Sequence, residues 1–178
     1  MDMKALTRRD ETVVIVGFFD LMGYAKWGAG RPPRELLEMA IELFSRTGRA
    51  IGKAGGRLIK AIGDAGLFVF PAGDPDRAVL ALMAMKGDCD AWLAESGYPD
   101  VMSVKVRIGP VACGMVGPPE AERLDVYGEA VNRAAMMRGR TFTVSAGLVD
   151  LLKTESRRNF ESFDDYEFVA KGRILPGG

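Results

Sequence analysis

The chain has 178 residues, 48% of them hydrophobic, and carries 24 basic and 24 acidic side chains, so it has no net charge. These figures fit one domain with a real core of α/β or α+β type. They offer no basic stripe interleaved with aromatics, which excludes nucleic acid as an expected partner. There is no histidine, which removes Ser-His-Asp and Cys-His triads and argues against a catalytic zinc ion. Chemistry must rest on carboxylates, Lys, Arg, Asn and metal. No run approaches the ~20 apolar residues of a membrane helix, and Met1-Asp-Met-Lys4 lacks the apolar core of a signal peptide. The expectation is a cytoplasmic chain with no membrane span.

After an N-terminal tail over 1–11, the run Val13-Val-Ile-Val-Gly-Phe-Phe-Asp20 is strand-like in its β-branched and aromatic content and closes on Asp20. Pro32 and Pro33 open a helix whose apolar positions Leu37, Ala40, Ile41, Phe44, Gly48 and Ile51 recur at helical spacing until Gly55-Gly56. Leu58 to Ile62 and Ala65 to Phe70 flank Gly63-Asp64, a favoured two-residue hairpin turn. A second helix starts near Pro75, with Ala78, Ala81, Leu82, Met85, Cys89 and Trp92 as its stripe. Val101 to Ile108 forms the next strand and completes a β-α-β-β-α-β order, the ferredoxin-like split unit. Gly109 onward reads as a Gly-rich turn containing Cys113. With no CxxC spacing, Cys89 and Cys113 are expected to be reduced core thiols. Further on, a short helix carries Asn132 and the strand Thr141 to Ser145 follows. Beyond 173 only a short tail over 174–178 remains.

In the split unit the first and third strands are antiparallel neighbours, so the end of the first, with Asp20, abuts the start of the third, next to Asp64. Two carboxylates converging at one sheet end repel unless a cation joins them. Hard oxygen ligands that leave room for water and phosphate suit Mg²⁺ or Mn²⁺. Two unrelated turn aspartates are the plainer alternative.

The sequence around these positions reads Phe18-Phe-Asp-Leu-Met-Gly-Tyr24 and Gly55-Gly-Arg-Leu-Ile-Lys-Ala-Ile-Gly-Asp-Ala65. It is followed by Gly109-Pro-Val-Ala-Cys-Gly-Met-Val-Gly117, Asp125-Val-Tyr-Gly-Glu-Ala-Val-Asn-Arg-Ala-Ala135 and Lys171-Gly-Arg173. In these five ordered motifs, over about residues 12–173, the chain resembles the class III nucleotidyl (adenylate/guanylate) cyclase catalytic domain. The resemblance implies an α+β fold, a ferredoxin-like βαββαβ core with additional C-terminal strands and helices. It implies conversion of ATP to 3′,5′-cyclic AMP and pyrophosphate with two Mg²⁺ or Mn²⁺ ions, in a head-to-tail homodimer whose sites lie at the interface. Asp20 and Asp64 match the metal-binding aspartates, and the backbone of Leu21, Met22 and Gly23 faces the phosphates. Lys60 and Asp125 match the purine-reading pair in its adenine-selecting combination. An ammonium can donate to adenine N1 and a carboxylate can accept from the exocyclic amine, whereas guanine presents the opposite pattern. Asn132 matches the asparagine that orients the ribose, and Lys171 or Arg173 corresponds to a terminal-phosphate contact.

Duller alternatives remain open: Lys60 as a solvated edge-strand lysine, Asp125 as a cross-strand ion-pair residue, and Asn132 as an ordinary polar helix position. The pattern is also broken at one place. Four residues after the asparagine the family carries an arginine that stabilises charge on the transferred phosphate; here it is Met136. Such donors are commonly worth about 3 kcal/mol, so the loss implies roughly hundredfold slower turnover. Arg133 is turned about 100° from Asn132 on an ideal helix and is expected to face elsewhere. Gly139 is expected to end the helix before Arg140, which leaves Arg138 or Arg140, folding back from the turn, as substitutes. Lys105 and Arg107 stand where relatives usually have small or histidine residues, and the connection to Thr141 is shorter than usual. A catalytically silent cyclase-like domain that binds nucleotide or a partner chain is the alternative function. A diguanylate cyclase would need a Gly-Gly-Asp/Glu-Glu-Phe turn and a polymerase palm a basic template surface, and the sequence has neither.

Overall fold

The computed structural model describes residues 11–139 and 141–171. The expected tails, apart from Glu11, and the candidates Arg140 and Arg173 lie outside that range. The first strand, β1 (Glu11–Leu21), is followed by two helices, α1 (Tyr24–Gly28) and α2 (Pro33–Lys53). The hairpin β2 (Arg57–Ile62) and β3 (Ala65–Pro71) leads to α3 (Pro75–Glu95) and the long β4 (Met102–Val116). After a 3₁₀ turn come β5 (Arg123–Tyr127), α4 (Glu129–Met136), β6 (Phe142–Ser145) and the short helices α5 (Ala146–Val149) and α6 (Thr154–Arg157). The strands β7 (Phe160–Ser162) and β8 (Glu167–Ala170) complete an eight-stranded sheet ordered β2-β3-β1-β4-β6-β8-β7, with β5 paired to β4.

The β-α-β-β-α-β core is therefore present, and β1 lies antiparallel between β3 and β4. Alternation decides the faces. Ile15, Phe19, Phe68, Phe70, Val104 and Val106 point to one side and are buried in the core shared with α2 and α3. Val14, Val16, Leu67 and Val69 point to the other, where Val111, Cys113, Leu124, Val126 and Ala130 cover them. That second layer exists because β4 does not stop at Ile108. It runs on to Val116 and pairs with β5 from Ala112 to Val116, and the resulting ribbon curls over the open face until β5 meets β2.

The expected break at Gly109-Pro110 is thus corrected, and Cys113 is a buried strand residue, not a turn residue. Pro110 is tolerated because the edge of β4 opposite β1 has no strand partner between Val106, which pairs with β6, and Ala112, which pairs with β5. A missing N–H there costs no ladder bond. Gly109 serves the packing of a helix. A Cβ at this position would stand 2.8 Å from the Cβ of Ala130, so its absence lets α4 sit directly on β4.

One buried ion pair fixes α3 to the sheet. Lys86 Nζ donates to Asp90 Oδ2 at 2.8 Å and to the Met102 carbonyl, while Asp90 Oδ1 accepts from Met102 N–H at 2.9 Å. No helix among the described residues is long and apolar enough to cross a membrane.

Candidate functional site

The sheet register brings the two aspartates together. Asp20 is still inside β1, opposite Ser103 of β4, and Phe19 is opposite Gly66, two residues past Asp64. Asp64 sits in the β2–β3 turn, where Gly63 takes a positive φ of 63° that a hairpin turn of this length favours. The two carboxyls lie within range of one another, with hydrogen bonding to Asp64 among the influences on Asp20. Burial, that hydrogen bond and the charge of Asp64 push Asp20 up to about 6 from 3.8, against the pull of Lys105 and the Leu21 backbone. Burial and the same negative field raise the phenols of Tyr24 and Tyr98.

A carboxyl pair strained in this way is a donor set that a divalent cation would relieve. Among the described residues no cluster of three or more acidic, Cys or His side chains forms. Two carboxylates beside exposed backbone suit Mg²⁺, which keeps water and takes substrate phosphates as further ligands. The adjoining backbone is firmly held. Tyr98 Oη donates to the Met22 carbonyl at 2.7 Å, and Met22 N–H donates to the Val101 carbonyl at 3.0 Å. Gly23 then turns with φ 73° into α1. Trp27 packs against Tyr98 at 5.1 Å between centroids, so α1 supports the same turn. The sequence patterns did not single out Tyr98, because a lone aromatic after a helix carries no motif.

Across the same face, Lys60 and Asp125 meet. The ammonium lies 2.6 Å from Asp125 Oδ2, and Asp125 Oδ1 accepts from Val126 N–H at 2.8 Å. The Lys60 side chain is 41% exposed and that of Asp125 12%, so the lysine reaches out of the cleft wall and the carboxylate is sunk in it. Asn132 is exposed on α4, the helix that packs against β1 and β4. Lys171 is exposed and its N–H donates to the Asn159 carbonyl at 2.8 Å, at the far end of the sheet beyond β8.

The region around Met136 bears on the two substitutes offered for the missing arginine. Helix α4 ends at Met136, already three residues before Gly139. Arg138 has a partner of its own, Asp164 at 2.8 Å, and its N–H and that of Gly139 donate to the Glu167 carboxylate. Arg133 lines a cleft of about 310 Å³ together with Met136, Met137 and Arg107. The relevant neighbour is Met136, three residues on and therefore on the same side of the helix.

Comparison with known proteins agrees with this architecture. The sequence family described as the adenylate and guanylate cyclase catalytic domain matches residues 6–175. An adenylate cyclase of Anabaena cylindrica is 29% identical over 149 residues, covering 79% of this chain and 29% of its own length. The chain therefore spans less than a third of that relative. A bacterial light-regulated adenylyl cyclase superposes with a TM-score of 0.81 at 18% identity, over 93% of this chain and 53% of the other. The guanylyl cyclase Cya2 superposes with a TM-score of 0.69 at 21% identity, over 83% and 79%.

Proposed function

The chain belongs to the adenylate and guanylate cyclase catalytic domain family, and we propose that it is an adenylate cyclase converting ATP to 3′,5′-cyclic AMP and pyrophosphate. The observation that carries this is the presence, on one sheet face, of the touching pair Asp20 and Asp64 and the paired Lys60 and Asp125. One pair suits a metal-bound triphosphate and the other suits the edge of adenine.

In the reaction the ribose 3′-oxygen attacks the α-phosphorus. A new P–O bond forms, the bond to the β-phosphate oxygen breaks, pyrophosphate leaves with the electron pair, and the hydroxyl proton passes to solvent. Divalent ions, when bound at Asp20 and Asp64, would lower the pKa of that hydroxyl and neutralise the triphosphate. The residues of the chain do the rest. Leu21 to Gly23 present backbone to the phosphates from a turn held by Tyr98. Lys60 donates to adenine N1 and Asp125 accepts from its amine. Asn132 orients the ribose from α4. A two-fold, head-to-tail homodimer would set the aspartates of one subunit against Lys60, Asp125 and Asn132 of the other. Exposed Met115, Val116, Tyr127 and Met136, on the β4–β5 ribbon and α4, support such an apolar contact.

Purified chain incubated with ATP or GTP and Mn²⁺, followed by chromatography, tests this. The expected product is cyclic AMP in preference to cyclic GMP, and no cyclic AMP above an Asp20→Asn control would sink it. Met136, 69% exposed where the family carries arginine, favours a second possibility, a silent domain that binds nucleotide. Calorimetric binding of an ATP analogue without turnover, even in Met136→Arg, would establish that alternative.

A further inference from the structure

Met136 leaves the cleft beside α4 without its usual guanidinium, yet the cleft is not without cations. Arg107 and Arg133 both line it with Met136. Their situations differ. Arg133 is on the helix surface, 58% exposed, and its guanidinium binds Glu129 one turn back at 2.5 Å. Arg107 comes from the sheet. In the β1–β4 ladder Asp20 lies opposite Ser103, Phe18 opposite Lys105 and Val16 opposite Arg107. Directly paired residues share a face, so Arg107 projects from the same face as Asp20, away from the helical core and toward α4. Its Nε is buried and has no hydrogen-bond partner among the described residues. A buried donor without an acceptor is costly in a resting protein. It is useful where an anionic ligand arrives to accept it.

The nearby charges are few. Glu129 and Arg133 of α4 act on Arg107 with opposite sign, and burial lowers its pKa. Glu167, also at the cleft, is occupied in accepting the N–H groups of Arg138 and Gly139. Arg138 is held by Asp164.

We propose that Arg107 takes the place of the missing helix arginine, its guanidinium reaching past Met136 to the transferring phosphates and stabilising the charge that develops there. This rests on the cyclase reading of the site. The sheet would thus supply the cation that α4 lacks. A planar fork of donors suits phosphate oxygens better than an ammonium would.

Steady-state kinetics of Arg107→Gln, Arg133→Gln, Arg107→Lys and the double variant Arg107→Gln/Met136→Arg, each with ATP and Mn²⁺, test the assignment. Arg107→Gln is expected to lower kcat about a hundredfold with KM changed by less than about threefold, since the contact is made in the transition state. Its melting temperature should be unchanged or higher, because an unpaired buried donor has been replaced. Arg133→Gln should stay within about threefold of the wild type, Arg107→Lys should fall between, and the double variant should recover most of the lost kcat. Wild-type turnover that survives Arg107→Gln, or that Met136→Arg fails to restore, overturns the assignment and leaves the cyclase reading standing. Absence of any cyclic nucleotide from the wild type overturns both. If Arg107→Gln does not fold, Arg107→Lys carries the comparison: wild-type kcat in that variant counts against a guanidinium-specific contact.

Discussion

Lys60 Nζ stands 2.6 Å from Asp125 Oδ2, across 65 residues of sequence and from two strands that share no ladder. Each partner satisfies the other before any base arrives. On the proposed reading a purine would replace both halves of an existing bond, and adenine, with an acceptor at N1 and an amine beside it, offers the matching pattern. Lys60→Gln is expected to lower kcat/KM for ATP more than tenfold while changing GTP turnover little. Competition assays with both nucleotides check the ratio, and an equal loss for the two would deny the pair a role in base choice.

Burial and the neighbouring Asp64 push Asp20 up to about 6, against 3.8 in a free carboxyl. The sign follows directly. Between those values the folded protein holds more protons than the unfolded chain, so stability falls as pH rises through that window. The group is only half-buried, so solvent screening keeps the effect small. Melting curves in EDTA should show Asp20→Asn gaining on the wild type as pH rises from about 4 to about 7. Mn²⁺ should reverse the order at pH 7.5 by stabilising only the wild type.

Lys86 and Asp90 are almost fully enclosed and tie α3 to the first residue of β4. Removing one partner leaves an uncompensated buried charge. Lys86→Met is expected to cost about 3–5 kcal/mol in urea denaturation, and Lys86→Met with Asp90→Leu should recover part of it.

Tyr98 holds the Met22 carbonyl from the outside of the site. Tyr98→Phe should cost about 1 kcal/mol of stability and raise KM for the metal–nucleotide complex several-fold while leaving base preference intact. Thermal melts and a KM measurement with ATP and GTP separate these two effects.

The elements that the sequence announced are those whose signals are local. Gly63-Asp64 between two apolar runs fixed the hairpin, and the Pro33 start with its helical stripe fixed α2. The adjacency of Asp20 and Asp64 followed because the split unit allows only one arrangement of its first and third strands. What stayed hidden depends on partners far along the chain. Gly109-Pro110 looks like a strand break until one knows that β4 has no second partner at that point. Arg107 stood out only as an unusual residue, because its buried, unpartnered nitrogen is a property of the packed fold. Lys60 and Asp125 were paired in the sequence only through the family resemblance, because their contact depends on the curl of the β4–β5 ribbon, which no periodicity encodes.

The seat of α4 on Gly109 has a mechanical meaning. Only the Ala130 methyl stands between helix and strand at this joint, so α4 lies close against the middle of β4 and the two are expected to move together. Arg107 leaves that pair two residues before the joint, and Asn132 leaves it two residues after Ala130. The origins of the ribose and phosphate contacts proposed above are thereby held at a nearly constant separation. If both contacts are made as proposed, a movement of α4 shifts them together, and the nucleotide would be engaged and released in a single concerted stroke.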